Sequence, residues 1–125
     1  MYNNEHEEGL DFLKLMFEKF GWYWESHPTN GDVLMFRNPS WKYWYSGTID
    51  QHLHENGKLV VHKEVLMGAD TDRIFHVNPS LKSVAWYGVD CMRDVFNLYN
   101  PDKDYMVFNS YNTPSFVTTK VIANA

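Results

Sequence analysis

Two segments of the chain repeat each other. Residues 32–50 (DVLMFRNPSWKYWYSGTID) and 72–90 (DRIFHVNPSLKSVAWYGVD) align without a gap. Six of the 19 aligned positions are identical, where ordinary residue usage would give about one. The identical pairs are Asp32/Asp72, Asn38/Asn78, Pro39/Pro79, Ser40/Ser80, Lys42/Lys82 and Asp50/Asp90. Each copy places an Asn-Pro-Ser turn between two apolar segments, so we predict a strand–turn–strand unit in each copy.

The size and charge of the chain limit what it can be. A chain of 125 residues is expected to form a single domain, here residues 1–125. Five Trp, eight Tyr and eight Phe residues predict a core dominated by aromatic packing. The net charge is −5, and no run of basic residues is present. We therefore expect no nucleic-acid partner, since binding to phosphates requires a basic surface.

The cysteine content and the first residues bear on location. Cys91 is the only cysteine, so no intrachain disulfide can form, and a reducing compartment is the natural expectation. The N-terminal residues are polar and acidic, unlike a secretory signal, and no apolar run approaches the length of a membrane span. We expect a cytoplasmic protein that does not act at a membrane.

Two helices are predicted. Over 5–20, apolar residues recur at helical spacing, acidic residues crowd the first turns, and Gly21 follows as a helix terminator. The second helix is expected over 90–99, with Asp90 as its N-cap and Pro101 after its end. A single helix over 80–99 also fits the spacing, but Gly88 would cost about 1 kcal/mol in its interior.

The remaining apolar segments predict a sheet. Strands are expected in the first half of the second copy and over 22–26, 33–37, 41–46, 48–55, 58–67, 82–87, 104–111 and 115–122. The connections between them are short, which favours antiparallel pairing. The predicted fold class is α+β, with a mostly antiparallel sheet of about eight or nine short strands.

A histidine group lies on the predicted hairpin 48–67, whose Asn56-Gly57 pair is a strong turn signal. Its members are Asp50, His52, His54 and His62. A two-residue turn would face His62 away from His52 and His54, whereas a three-residue loop would place all four residues on one face. The sequence leaves both registers open.

The histidine group has three interpretations. Solvent-facing polar residues on a sheet surface are the most economical one, and a catalytic or metal site requires the second register. No dense ligand motif accompanies the group, so we predict no metal and no cofactor. The catalytic alternative is a small hydrolase or lyase that uses Asp50, His52, His54 and His62, with or without assistance from a metal.

The strongest functional signal is the number of aromatic side chains, which is too large for one small core. Strands with aromatic residues on both faces predict that one face is a contact surface, and nearby Lys and Arg residues could clamp a small anionic or planar ligand. The predicted ligand-binding residues are Trp41, Lys42, Tyr43, Tyr45, Arg73 and Trp86.

The sequence therefore favours a non-enzymatic binding module, inhibitor or accessory protein. Its partner would be a protein or a small anionic or planar ligand, and a homo-oligomer that holds the ligand between subunits is a further possibility.

Overall fold

The computed structural model describes residues 5–52, 58–68, 70–80, 82–99, 101–108 and 118–121. Within these ranges the chain forms three helices and eight strands, which confirms the α+β class. In chain order the elements are α1 (Glu5–Lys19), β1 (Tyr23–Ser26), β2 (Leu34–Arg37), β3 (Tyr45–His52), β4 (Leu59–His62), α2 (Lys63–Gly68), β5 (Arg73–Asn78), β6 (Ser83–Gly88), α3 (Val89–Tyr99), β7 (Tyr105–Phe108) and β8 (Thr118–Val121).

The strands form two sheets of different size. The larger sheet has the order β1-β2-β3-β5-β6-β8, and β4 and β7 form a separate two-stranded ribbon. Four of the five pairings in the larger sheet are antiparallel, but β3 and β5 run parallel at its centre. The sheet is therefore mixed: most of its pairings are antiparallel, as the short connections predicted, but the central pairing is parallel.

The two aligned segments form hairpins with corresponding registers. In the first, β2 pairs with β3 through Leu34–Gly47, Met35–Ser46 and Phe36–Tyr45. In the second, β5 pairs with β6 through Ile74–Tyr87, Phe75–Trp86 and His76–Ala85. The offset of 40 residues that aligns the two sequences also relates these three pairs. Both Asn-Pro-Ser segments lie at or beside the turn of their hairpin.

Helix α1 covers one face of the larger sheet. Leu13 and Phe17 are fully buried, as the helical spacing predicted, and Gly21 ends the segment with a φ of +73°. Because side chains alternate along a strand, the same face presents every second residue of β2, β3, β5 and β6. These residues are Leu34, Phe36, Ile49, Phe75, Val77 and Val84.

The other face of the sheet is covered by the β4–β7 ribbon with α2 and α3. Ile74, Ala85 and Tyr87 point to this side and pack against Val61 and Phe96. The chain thus has two apolar clusters, separated by the central strands β3, β5 and β6. Those strands are buried on both sides, as in other folds with three layers.

The predicted hairpin over 48–67 is wrong in its pairing. β3 pairs with β2 and β5, whereas β4 pairs with β7, so the two segments belong to different sheets. The predicted strand 58–67 also ends at His62, because Lys63–Gly68 forms α2 and buries Leu66. Lys, Glu, Leu and Met are strong helix formers, which the strand interpretation ignored. The Asn56-Gly57 turn lies outside the described residues.

The other predicted elements are close to those observed. α3 runs over Val89–Tyr99 after β6, so the alternative of one helix over 80–99 is wrong. The strand expected over 41–46 begins only at Tyr45, because the preceding residues form a bend after the turn. Of the strands predicted over 104–111 and 115–122, the described portions are β7 and β8.

Replacing Gly47 with alanine is expected to destabilise the protein by about 1–3 kcal/mol through overpacking. A Cβ atom at this position would lie 2.5 Å from Cε2 of Phe75 and 3.1 Å from Cε1 of Phe36. Urea unfolding measures the change, with Gly31→Ala as the control because no atom lies within 4 Å of the corresponding Cβ. Equal stability of the two variants would contradict the close contact at Gly47.

Candidate functional site

An aromatic pocket opens between the end of α1 and the sheet, with a volume of about 200 Å³. We call it the tryptophan pocket. Its aromatic walls are Phe20, Trp22, Phe36, Trp41, Phe75 and Trp86. Met16, Asn38 and Arg73 complete the lining. The pocket is therefore mostly apolar, with one amide and one guanidinium group.

Local backbone geometry positions Trp41 in the pocket. The backbone N–H and the hydroxyl of Ser40 both donate to Asn38 Oδ1, at 2.9 and 2.8 Å. The Trp41 N–H donates to the Asn38 carbonyl oxygen at 2.9 Å. These bonds form an Asn-based turn that carries the chain back toward the sheet. The Trp41 ring then packs edge-on against Trp22, with 4.9 Å between the ring centroids.

The pocket floor comes from β2 and β5. Phe36 and Phe75 point to the α1 face and lie edge to face, with ring centroids 5.6 Å apart. Phe17 contacts both rings from α1. Such contacts hold each ring of the pocket floor in a defined orientation.

Arg73 supplies the positive charge of the pocket. Its guanidinium lies 5.0 Å from the centroid of the Tyr45 ring, and its Nη1 donates to the Asp72 carbonyl oxygen at 3.0 Å. The Asp72 carboxylate instead accepts a hydrogen bond from the Ser46 N–H at 3.0 Å. Among the described residues, no carboxylate forms an ion pair with Arg73.

The structure divides the six predicted ligand-binding residues. Trp41, Arg73 and Trp86 line the pocket, and Tyr45 contacts Trp41 and Arg73 from behind it. Lys42 and Tyr43 are exposed and pair with each other, with the ammonium 5.3 Å from the ring centroid. They lie outside the pocket lining.

The sequence interpretation missed several pocket residues. Phe36 and Phe75 occupy neighbouring columns of the aligned copies, and both face α1 because equivalent residues of the two hairpins point to opposite faces of the sheet. Met16 and Phe20 lie one helical turn apart at the end of α1. The periodicity of each element predicts which of its residues share a face. It does not predict which elements lie next to each other, so these residues could not be assigned to one pocket from the sequence.

The second constellation lies on the opposite face of the sheet. The His62 N–H donates to Asp50 Oδ2 at 3.0 Å, and His62 Nδ1 lies 3.0 Å from Asp50 Oδ1. The Asp50 side chain is 1% exposed and that of His62 is 29% exposed. When Asp50 is ionised, Nδ1 carries the hydrogen of this bond and Nε2 is the basic nitrogen of the ring.

Two further side chains extend the contact into the core. The side chain of His76 on β5 is fully buried, and its Nε2 lies 3.7 Å from Asp50 Oδ2. The same nitrogen is hydrogen bonded to the Tyr87 hydroxyl at 3.0 Å. We call Asp50, His62, His76 and Tyr87 the carboxylate–histidine network. His76 and Tyr87 were not predicted, because their approach to Asp50 depends on the parallel pairing of β3 with β5.

Burial controls the ionisation of the network. It raises the pKa of the Asp50 carboxyl, and the hydrogen bonds and charge of His62 oppose this rise without cancelling it. Burial also raises the pKa of the Tyr87 hydroxyl, and the negative charge of Asp50 raises it further. Tyr87 therefore remains protonated and available as a hydrogen-bond donor.

The structure describes the side chains of only two members of the predicted cluster of Asp50, His52, His54 and His62. Asp50 and His62 meet, but through contact between two layers and not across a hairpin ladder. The side chain of His52 and the whole of His54 lie outside the described residues. Within the described ranges, no group of three or more His, Cys, Asp or Glu residues has a geometry that could hold a metal ion.

Comparisons with known proteins identify no relative. No family model matches the chain, and no curated protein or solved structure is significantly similar to it. In the described part of the chain, every helix is too short or too polar to cross a bilayer.

Replacing Tyr87 with phenylalanine is expected to lower the free energy of unfolding by about 1–3 kcal/mol, because buried His76 Nε2 loses its bond to the hydroxyl. Tyr43→Phe is the matched control, since Tyr43 is 66% exposed, and it should change stability little. Urea unfolding at neutral pH compares the two. A Tyr87→Phe variant as stable as the control would show that this hydrogen bond contributes nothing.

Proposed function

We propose that this protein is a non-enzymatic binding protein whose tryptophan pocket holds a small, planar, anionic ligand. The observation that carries this proposal is a cavity lined by six aromatic side chains and by Arg73, which has no carboxylate partner among the described residues. Pockets of this kind, apolar with a few polar groups, are typical of small-molecule sites.

The walls favour a flat ligand of limited size. Aromatic side chains bind planar groups by offset stacking and edge-to-face contacts, with centroids about 4.5–7 Å apart. A volume of about 200 Å³ is below the range of roughly 300–1,000 Å³ that is usual for drug-sized ligands. A ligand with one or two fused rings is therefore the expected occupant.

The polar groups favour an anion. The Arg73 guanidinium offers donors in a planar fork that matches a carboxylate, and its stacking on Tyr45 holds it in place. Asn38 is the other polar residue of the lining, and its Oδ1 already accepts from Ser40. A cationic ligand would be repelled by Arg73, although aromatic walls alone would attract it.

A protein partner is the other form of the binding hypothesis. Arg37 lies 5.0 Å from the Tyr23 ring centroid and 6.0 Å from that of Trp44, and both aromatic side chains are exposed. Trp, Tyr and Arg dominate the energetics of protein interfaces. The role as inhibitor or accessory factor, the homo-oligomer and the cytoplasmic location stay predictions.

Binding of an aromatic carboxylate is the direct test. Titration with 2-naphthoate, followed by tryptophan fluorescence and calorimetry, should show one saturable site. The cationic analogue 2-naphthylmethylamine should bind at least about tenfold more weakly, since a charge-assisted hydrogen bond contributes about 1.5–3 kcal/mol.

Variants assign the binding to the pocket. Arg73→Gln should lose the preference for the anion, and Trp41→Ala should weaken both probes. Lys103→Gln removes the same charge from an exposed position outside the pocket lining and should bind like the parent protein. Equal affinity for the two probes, or an unchanged preference in Arg73→Gln, would refute the anionic pocket.

The hydrolase or lyase alternative stays a prediction. The contact between Asp50 and His62 supports it, because a carboxylate that orients Nδ1 leaves Nε2 to act as a base. We place binding first because Trp41, Arg73 and Trp86 meet in one cavity, whereas only Asp50 and His62 of the catalytic group can be located.

A further inference from the structure

The carboxylate–histidine network connects two layers between which the described residues form no backbone ladder. Asp50, His76 and Tyr87 lie on β3, β5 and β6 of the larger sheet, whereas His62 ends β4 of the two-stranded ribbon. β3 pairs with β2 and β5, and β4 pairs with β7. The contact from His62 to Asp50 is therefore a side-chain bond that attaches the ribbon to the sheet.

His62 contacts Asp50 in two ways at once. Its backbone N–H donates to Oδ2 at 3.0 Å while its ring Nδ1 lies 3.0 Å from Oδ1. Both the strand end and the ring are thus held by one carboxyl group. Since the Asp50 side chain is only 1% exposed, water does not replace these bonds without separation of the layers.

The charge of the pair depends on one proton. When this proton is present, a protonated ring faces an ionised carboxylate, or a neutral ring faces a protonated carboxyl, and the net charge is zero in either case. When the proton is lost, the pair carries −1 in a buried site. Taking an uncompensated charge out of water is unfavourable, so loss of the proton favours separation of the layers and entry of water.

Among the described residues, no lysine or arginine forms an ion pair with Asp50 that could replace the proton. Arginine or lysine would be needed, and the Lys63 ammonium instead donates to the Pro101 carbonyl oxygen at 2.9 Å. Within the described chain, Asp50 forms ion pairs with His62 and His76. Titratable side chains on the elements around the pair include His76 and Arg73 on β5, Tyr87 on β6, Lys63 and exposed Glu64 on α2, and Tyr105 opposite His62 on β7.

We propose that the Asp50–His62 pair is a proton-dependent latch, which holds the β4–β7 ribbon on the sheet while it keeps its proton and loosens the ribbon when the proton is lost. Leu59 and Val61 keep their apolar contacts in the cluster on the ribbon side of the sheet. The ribbon therefore loosens locally and the fold persists.

The direction of the pH effect follows from linkage. The pKa of Asp50 is raised above its ordinary value of 3.8, so the folded pair binds more protons than the unfolded chain above that pH. The stabilisation is thus full at low pH and is lost as pH rises through the titration of the folded pair.

Hydrogen exchange tests the latch at the strands it holds. Protection factors of the β4 and β7 amides should fall as the pH rises from about 4 to about 8.5, by about tenfold for each unit by which the pKa of Asp50 is raised. The β1 and β2 amides in the same sample are the reference and should keep their protection. A parallel fall in all four strands, or no fall in any, would overturn the proposal.

Three variants separate the latch from general pH effects. Asp50→Asn keeps the size of the side chain and can still accept from the His62 N–H, but it removes the titration, so the selective fall should vanish. His62→Gln can still donate to Asp50 but carries no ring proton, and because Asp50 keeps its own titration, the fall should shift to higher pH and not vanish. His27→Gln is the control, because His27 accepts backbone bonds from Thr29 and Asn30 in an exposed turn, and it should retain the fall. Retention of the fall in Asp50→Asn would refute the latch.

Discussion

The parallel pairing of β3 with β5 is the constraint on which the rest of the structure depends. It joins the two hairpins into one sheet through Gly47–Arg73, Thr48–Ile74 and Ile49–Phe75. A ring can lie against Gly47 only because this residue has no side chain, so Phe75 reaches Phe36. On the other side, the irregularity after Ile49 leaves Asp50 beside His76. One strand contact thus organises both groups of functional interest.

The central strands β3, β5 and β6 present different chemistry on their two faces. Toward α1 they contribute Phe75 and Trp86 to a pocket of aromatic rings, and toward the ribbon they contribute Asp50, His76 and Tyr87. Alternation of side chains along a strand permits this separation, since neighbouring residues point to opposite layers. The proposed ligand pocket and the proposed latch therefore use neighbouring residues of one sheet without sharing any of them.

Much of the local structure could be predicted from the sequence, but the candidate sites could be predicted only in part. The spacing of Leu13 and Phe17 was sufficient for α1, and the Asn-Pro-Ser turns were sufficient for both hairpins. Trp41, Arg73 and Trp86 were identified as a set because aromatic and basic residues cluster in the two copies. His76 was not identified, because the sequence of an apolar strand does not show which side chains lie next to a histidine within it. The ribbon was missed because β4 pairs with β7, which lies more than 40 residues later in the chain.

The sequence by itself determined the α+β class, the helices α1 and α3, and the strand–turn–strand form of each aligned segment. These features depend on side-chain periodicity and turn chemistry within about 20 residues, where the interacting groups are close along the chain. Only the tertiary structure decided that β3 and β5 run parallel, that β4 leaves the sheet, and that His62 meets Asp50. Such pairings are selected by burial of both sheet faces, and that burial involves residues distant in sequence whose positions no local pattern specifies.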